Sequence, residues 1–209
     1  MSRTSPLCIV KRNGNKQRFV LDKLMARVGK LTYGLQPYAT ADRVVTAAMS
    51  GDPSQRDGPL TSVELDEQVE RVAYSLGNTR DRHDFAVLAS RLRVSRLHKD
   101  TGKRFSVVFR SFCDRKRHTL HTEELRDALV FVNNHTDALN GAIVHDRDND
   151  IPYDDLQRLI AHELHTSDGV VAERPQHRYM RLACFACNGD KDSAIKTYNE
   201  LSSHFADGD

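Results

Sequence analysis

Long hydrophobic runs are absent from this chain of 209 residues. Apolar runs such as ALVFV and GVVA are only a few residues long, far short of the roughly 20 apolar residues that a transmembrane helix needs. The opening residues, MSRTSPLCIVKR, lack the apolar core of a secretory signal peptide. We therefore expect neither a membrane span nor a secretory leader.

Cysteine is scarce as well, and its pattern bears on the compartment. The four cysteines show no framework of the kind found in secreted proteins, which favours a reducing, cytoplasmic setting; they are Cys8, Cys113, Cys184 and Cys187. Internal repeats and low-complexity segments are also missing. With 39% hydrophobic and 29% charged residues, the composition is that of an ordinary soluble globular protein with one or two domains.

Positive charge is concentrated in two segments, although the net charge is only +2. Residues 1–36 hold eight Lys/Arg against one acid, and residues 91–117 hold ten against two. Residues 145–209, by contrast, carry thirteen Asp/Glu against seven Lys/Arg. Because a protein that coats nucleic acid is usually basic over a whole domain, this distribution favours a local anionic ligand.

The first part of the chain predicts a hairpin followed by helices. Residues 8–12 and 16–20 are expected as strands, since Asn13-Gly14 between them is a strong signal for a two-residue turn. Asp22 then predicts the N-cap of a helix over 23–34 that stops at Gly34.

Three more helices are expected before residue 100. One covers 40–50 and leads into an exposed loop, GDPSQRDGP. The next begins at Thr61 or Ser62, with Glu64 placed as in a capping box. The last covers about 80–99 and turns Phe85, Leu88 and Leu92 toward the core.

The second part of the chain is predicted to be more helical than the first. Helices are predicted over 104–116, 121–135 and 152–165, followed by a closing pair over 174–187 and 190–204. HTSDGVVAE predicts a turn and then a short strand. We therefore expect a mainly α (α+β) protein with a domain over 1–100, made of a short β-hairpin plus four helices, and a helical domain with a small β element over 101–209.

The spacing of the basic residues alone allows two interpretations of the hairpin. Lys11, Arg12, Lys23 and Lys99, together with backbone N–H groups, would surround a triphosphate. Alternatively, the segment is a solvated basic edge strand that protects against aggregation. No glycine-rich phosphate loop accompanies it to decide between them.

Three further motifs have a functional and a structural interpretation, and the structural one is favoured each time. Cys184-x-x-Cys187 would be a redox pair or half of a zinc site, but no second such pair exists and packed cysteines are expected. His162 and His165 lack the spacing of a zinc-binding HExxH helix. The DRDND stretch over 146–150 lacks calcium-loop spacing and fits an ion-paired turn.

Seven segments, taken in order, resemble one family. They are VKRNGNKQRFVLDK, KLTYGL, TSVELDEQV, DFAVLASRLRVSRLHK, LNGAIVHDRD, VAERPQHRYMR and AIKTYNELS. Together they resemble the N-terminal region of the large, catalytic subunit of class I ribonucleoside-diphosphate reductase, of the eukaryotic and viral type. The resemblance runs from about residue 8 to 204. In that family the first hundred residues form an ATP-cone, where ATP activates and dATP inhibits.

The resemblance implies a set of residues around the effector, ATP or dATP, with Mg²⁺. Lys11, Arg12 and Lys99 would meet the phosphates, and Asp66 would lie near the sugar and base. The full set is Ile9, Val10, Lys11, Arg12, Gln17, Lys23, Ser62, Asp66 and Lys99. Family members commonly carry Glu where Gln17 stands, so discrimination between ATP and dATP, or the use of magnesium, is expected to differ here.

The resemblance covers the N-terminal region of the family and does not include its catalytic barrel. The segment matching TYNELS leads, in the family, into a catalytic α/β barrel with the redox and radical cysteines, and the four cysteines of this chain do not match those motifs. We expect no redox cofactor and no ribonucleotide reduction by these residues alone. Expected partners are the small, radical-generating subunit and further copies of the large subunit, without nucleic acid or membrane.

Two other functions stay open. In the first, the chain is a non-catalytic regulatory or decoy protein that binds nucleotide or pairs with a full-length large subunit. Nucleic-acid binding through residues 91–117 is a weaker alternative, recognisable by an affinity that falls steeply with salt.

Overall fold

Two compact units make up the chain, one ending at Arg96 and the other beginning at Leu97. The computed structural model describes residues 8–37, 39–50, 59–77, 82–116 and 122–204. The predicted loop GDPSQRDGP lies, except for Pro59, outside the described residues. Helices dominate both units and the sheets are small, so the predicted mainly α fold class is confirmed.

A three-stranded sheet opens the first unit. Strands β1 (Cys8–Val10) and β2 (Lys16–Arg18) pair antiparallel, with Ile9 opposite Gln17. Strand β3 (Leu60–Thr61) joins the other edge of β1 in parallel. This third strand was not predicted, because two residues are too short to show a strand period.

The turn between β1 and β2 corrects the expected two-residue turn. The Lys11 N–H donates to the Asn15 carbonyl oxygen and the Gly14 N–H donates to that of Lys11, each at 2.9 Å. Gly14 takes the left-handed conformation, with φ of 80°. Residues 12–14 therefore form a three-residue loop with glycine at its last position, and Arg12 lies in that loop and not on a strand.

Four helices complete the first unit: α1 (Leu21–Gly29), α2 (Ala41–Met49), α3 (Ser62–Leu76) and α4 (Arg82–Asp100), the last running past the unit boundary. Their apolar faces bury Val28, Val44, Val69, Phe85 and Leu88 completely. The hydrophobic period of 3.6 residues accounts for this core.

Helix α1 differs from its prediction at both ends. Its N-cap is Val20, which makes no side-chain cap, and Asp22 lies inside the first turn, where its charge still complements the helix dipole. The helix ends at Gly29, before the predicted stop at Gly34. Arg91 from α4 donates to the carbonyl oxygens of Leu31 (2.9 Å) and Tyr33 (2.6 Å), and this long-range partner replaces continued helical bonding.

Helix α3 begins as predicted, with Thr61 as its N-cap. The Thr61 N–H and hydroxyl each donate to Glu64 Oε2 at 2.8 Å, and the Glu64 N–H donates back to Thr61 Oγ1 at 3.1 Å. This reciprocal capping box satisfies N–H groups that the first helical turn leaves unpaired.

The second unit is built from helices α5 (Phe105–Lys116), α6 (Thr122–Asn134), α7 (Thr136–Ala142), α8 (Tyr153–Arg158), α9 (Pro175–Ala186) and α10 (Lys191–Ser202). A 3₁₀ helix covers His145–Asp150 and a π-helical turn covers Leu159–Glu163. Strands β4 (Thr166–Ser167) and β5 (Val170–Val171) form a hairpin. Helix α7, the 3₁₀ helix and strand β4 were not predicted, because each is short.

One apolar cluster forms the core of the second unit. Phe105, Phe109, Val132, Met180 and Tyr198 are buried in it. The Tyr198 hydroxyl donates to Gln176 Oε1 at 2.7 Å and accepts from the Val144 N–H at 2.9 Å. The only polar atom of this buried side chain is therefore bonded on both sides, as burial requires.

Two buried carboxylates, one from the DRD motif and one from the AERPQ motif, are held by hydrogen bonds. Asp148 is fully buried; its Oδ1 accepts from the Gln176 N–H at 3.2 Å and its Oδ2 lies 2.6 Å from His98 Nε2. Glu173, 1% exposed, accepts two bonds from Arg181 (2.8 and 2.9 Å) and one from the His165 N–H (2.9 Å). These motif residues thus stabilise the fold.

The cysteines and histidines of the remaining motifs differ in their exposure to solvent. Cys184 and Cys187 are buried and unbridged, and His162 is exposed while His165 is buried. Among the described residues, no group of His, Cys, Asp or Glu is arranged to hold a metal ion. None of the described helices is long and apolar enough to cross a membrane.

Replacing Thr61 with alanine is expected to lower the free energy of unfolding by about 1 kcal/mol, because the capping box is lost. Urea unfolding followed by circular dichroism measures the change. Thr46→Ala, at an exposed position within α2, is the matched control and should leave stability unchanged or slightly raised. Equal stability of Thr61→Ala and the wild-type chain would contradict the role given to the cap.

Acid is expected to destabilise the second unit through His177. Burial, and then the nearby charges of His145 and Arg174, lower the pKa of this fully buried side chain from 6.5 to about 3. The folded chain keeps His177 neutral while the unfolded chain takes up a proton below pH 6.5, so stability falls as pH falls through this window, by up to about 1.4 kcal/mol per pH unit.

The measurement is the free energy of unfolding between pH 7 and pH 4.5, in steps of about half a unit. His177→Gln should show a shallower decline than the wild-type chain, and His162→Gln, at an exposed site, should keep the wild-type slope. An unchanged slope in His177→Gln would rule out this residue as the source.

Candidate functional site

A cleft of about 180 Å³ lies within the first unit, between the hairpin, α1 and the start of α3. Part of its wall is apolar and part is cationic, a combination suited to a ligand with a flat organic ring and negative charge. The lining residues are Ile9, Gln17, Arg18, Phe19, Val20, Lys23, Leu24, Arg27, Ser62 and Leu65.

Each wall follows from local structure. Ile9 and Gln17 are directly opposed across β1 and β2, and residues so paired share one face of a sheet. Lys23 and Arg27 lie one turn apart on α1, which brings both cations to the same side of the helix. Ser62 is the first residue of α3, directly after its Thr61 cap.

Behind the cleft lies a buried carboxylate between two arginines. Asp66 on α3 is 5% exposed. Its Oδ1 is 2.5 Å from Arg27 Nη1, while its Oδ2 is 3.4 Å from both terminal nitrogens of Arg12. The arginine side chains keep 33% and 28% exposure respectively. Asp66 thus connects the hairpin loop with helix α1.

The cleft brings together some of the residues that the resemblance implies. Ile9, Gln17, Lys23 and Ser62 line it. Arg12 and Asp66 join it through Arg27, which both lines the cleft and binds Asp66.

The other three implied residues are placed differently. Val10 pairs with Lys16 and Thr61 within the sheet, and Lys11 is exposed at the start of the hairpin loop; neither is among the lining residues. Lys99 is exposed in the last turn of α4, beyond the boundary of the first unit. Their part in a site stays a prediction.

Sequence reasoning missed Arg27 and most of the apolar wall. Arg27 was counted only as one of the basic residues before position 36, although its i, i+4 spacing from Lys23 was a usable signal. Phe19 was predicted only as part of a strand, and Leu24 only as part of the helix over 23–34. No local pattern separates an apolar residue that lines a cleft from one that only fills a core.

Comparison with known proteins agrees with the motif resemblance. Residues 7–100 match the ATP cone domain family. The chain is 36% identical over 203 residues to the ribonucleoside-diphosphate reductase large chain 2 of Saccharomyces cerevisiae, covering 93% of this chain and 22% of that protein.

A viral and an animal relative show similar identity and coverage. The ribonucleoside-diphosphate reductase large subunit of variola virus is 34% identical over 202 residues, covering 93% of this chain and 25% of that protein. The large subunit of Caenorhabditis elegans is 34% identical over 213 residues, covering 98% and 26%. The chain spans about a quarter of the length of these curated relatives. Over nearly its whole length, the chain is similar to the N-terminal region of ribonucleoside-diphosphate reductase large subunits, and residues 7–100 match the ATP cone domain family.

Proposed function

We propose that the first unit binds ATP or dATP in the cleft between the hairpin, α1 and α3, as the allosteric region of a ribonucleoside-diphosphate reductase large subunit. The observation that carries the proposal is the pairing of an apolar wall with Lys23 and Arg27 in one cleft inside the matched segment. An adenine ring gains from burial against the apolar wall, and phosphate oxygens gain charge-assisted hydrogen bonds from the cations.

Within this proposal the implied residues divide by chemistry. Arg12, Lys23 and the exposed Lys11 and Lys99 are the cations for the phosphates. Asp66 supplies a carboxylate for discrimination near the sugar and base. Mg²⁺ enters with the nucleotide, held by phosphate oxygens and water, since Gln17 offers the cleft a neutral amide instead of a carboxylate.

The wider role that we propose is based on the similarity of the chain to reductase large subunits. As part of a reductase large subunit, the chain would contribute to deoxyribonucleotide synthesis for DNA replication in the cytoplasm. It would assemble with a small, radical-generating subunit and with further large subunits. The domain division that we propose, 1–100 and 101–209, assigns effector binding to the first domain.

Titration calorimetry with ATP and dATP in the presence of Mg²⁺ tests the proposed site. We expect both nucleotides to bind and to compete with each other. Lys23→Gln should weaken ATP binding by about tenfold or more, the effect of losing one charge-assisted bond. Lys30→Gln, at an exposed position just past α1, should bind like the wild-type chain. Absence of ATP and dATP binding would refute the function.

These 209 residues alone are expected not to reduce ribonucleotides. Turnover in this family needs a thiyl radical and a dithiol, and three of the four cysteines here are buried, with burial raising the pKa of Cys184 to about 12, which keeps that thiol protonated and unreactive. The assay follows CDP or ADP reduction by the chain with a small subunit and dithiothreitol. Product above the level without the chain would contradict this expectation.

A further inference from the structure

The second unit contains a cavity of about 490 Å³ between helix α6 and the turn that joins α9 to α10. We infer that this cavity binds a guanidinium group, the arginine side chain of a partner polypeptide. The inference is independent of the proposed nucleotide site, which lies in the first unit. The lining residues that carry it are Glu124, Asp127, Phe131, Phe185, Asn188 and Gly189.

Two carboxylates give the cavity its negative charge. Glu124 and Asp127 are spaced i, i+3 on α6, so both side chains lie on the same side of the helix. Both residues are exposed, and neither carboxylate has an ion pair or a hydrogen bond within the part of the chain that the structure describes. A hard metal ion takes about six or more oxygen ligands, whereas the planar fork of N–H donors in a guanidinium matches carboxylates. The carboxylates therefore favour an organic cation.

Aromatic rings form the apolar wall of the cavity. Phe131 is buried one helical turn past Asp127, while Phe185 on α9 keeps 37% of its surface exposed. Phe185 packs against Phe109 and Phe112, with ring centroids 5.8 and 6.3 Å away, so its neighbours hold the ring in place. A guanidinium stacks on an aromatic ring better than an ammonium group does, because the ammonium is more strongly hydrated.

The second unit already holds one of its own arginines by this combination of groups. Arg181 donates to both carboxylate oxygens of Glu173, at 2.8 and 2.9 Å. Its guanidinium carbon lies 4.6 Å from the centroid of the Phe112 ring. The cavity offers the same two components, carboxylate and phenylalanine, and an arginine from another polypeptide would complete the arrangement.

The rim of the cavity favours an arginine carried by a polypeptide over a free small molecule, which binds best where the pocket encloses it. A Cβ added at Gly189 would meet no atom within 4 Å, so this side leaves room for a chain to pass over the cavity. Val130 on α6 and Leu182 on α9 are exposed one helical turn from lining residues. They supply apolar surface for the residues that flank the arginine.

An NMR titration of the isotope-labelled chain with blocked pentapeptides tests the inference. The peptides are Gly-Ser-X-Ser-Gly, where X is arginine, lysine or citrulline, the last of which keeps the shape of arginine without its charge. We expect the arginine peptide to shift the amide signals of Asn188 and Gly189 saturably, with a dissociation constant of about 1 mM or lower. The citrulline peptide should bind about tenfold more weakly, and the lysine peptide about threefold more weakly.

Variants on α6 test the two carboxylates. Glu124→Gln should weaken binding of the arginine peptide by about threefold or more, and adding Asp127→Asn should increase the loss to about tenfold. Glu123→Gln is the matched control, because Glu123 is exposed in the same first turn of α6 and is not among the lining residues. Its affinity should stay within about twofold of wild type. All three side chains are exposed, so folding should be retained, and the NMR spectrum of each variant checks this.

The outcomes separate the possibilities. Absence of saturable shifts at Asn188 and Gly189 with the arginine peptide overturns the inference. Equal affinity for the citrulline or the lysine peptide overturns the assignment of a guanidinium, and unchanged affinity in the double variant overturns the role of the carboxylates. Because the proposed nucleotide cleft lies in the first unit, none of these results bears on the proposed function.

Discussion

A carboxylate that leaves water must be given positive charge or hydrogen-bond donors, and this chain depends on meeting that requirement at a few places. Asp66 lies between Arg12 and Arg27. Asp148 accepts from the first turn of α9 and faces His98, and Glu173 is held by Arg181 and the His165 N–H. Because an unpaired buried charge would cost several kcal/mol, each carboxylate fixes the relative positions of the segments that carry its partners.

Much of the local structure followed from the sequence, for identifiable reasons. Apart from α1, the predicted helices formed within about two residues of their expected bounds, if the π-helical turn is counted as the continuation of α8. The Thr61 capping box formed as predicted. The failures came from partners distant along the chain or from elements too short to carry a period. Helix α1 stops before its predicted end, where Arg91 donates to the Leu31 carbonyl oxygen. The two-residue strand β3 forms by pairing with β1.

The candidate site was predictable in its outline and not in its connections. A basic hairpin next to a helix suggested phosphate chemistry, and the resemblance named Ile9, Gln17, Lys23 and Ser62, which line one cleft. The burial of Asp66 and its short contact with Arg27 depend on how α3 packs against α1 and the hairpin. No spacing in one sequence reports that packing, so Arg27 remained one basic residue among several.

The buried carboxylates Asp148, Glu173 and Asp66 differ in the groups that bond to them. Asp148 and Glu173 are each bonded by a backbone N–H as well as by a side chain, so a ligand would have to disturb the backbone to displace the partners. Asp66 has in Arg12 a partner on a hairpin loop at 3.4 Å. An arginine side chain can change its rotamer, whereas a backbone N–H cannot move without the segment that carries it. The backbone-bonded carboxylates Asp148 and Glu173 therefore fix the segments that donate to them, while Asp66 joins the hairpin loop to α1 through arginine side chains.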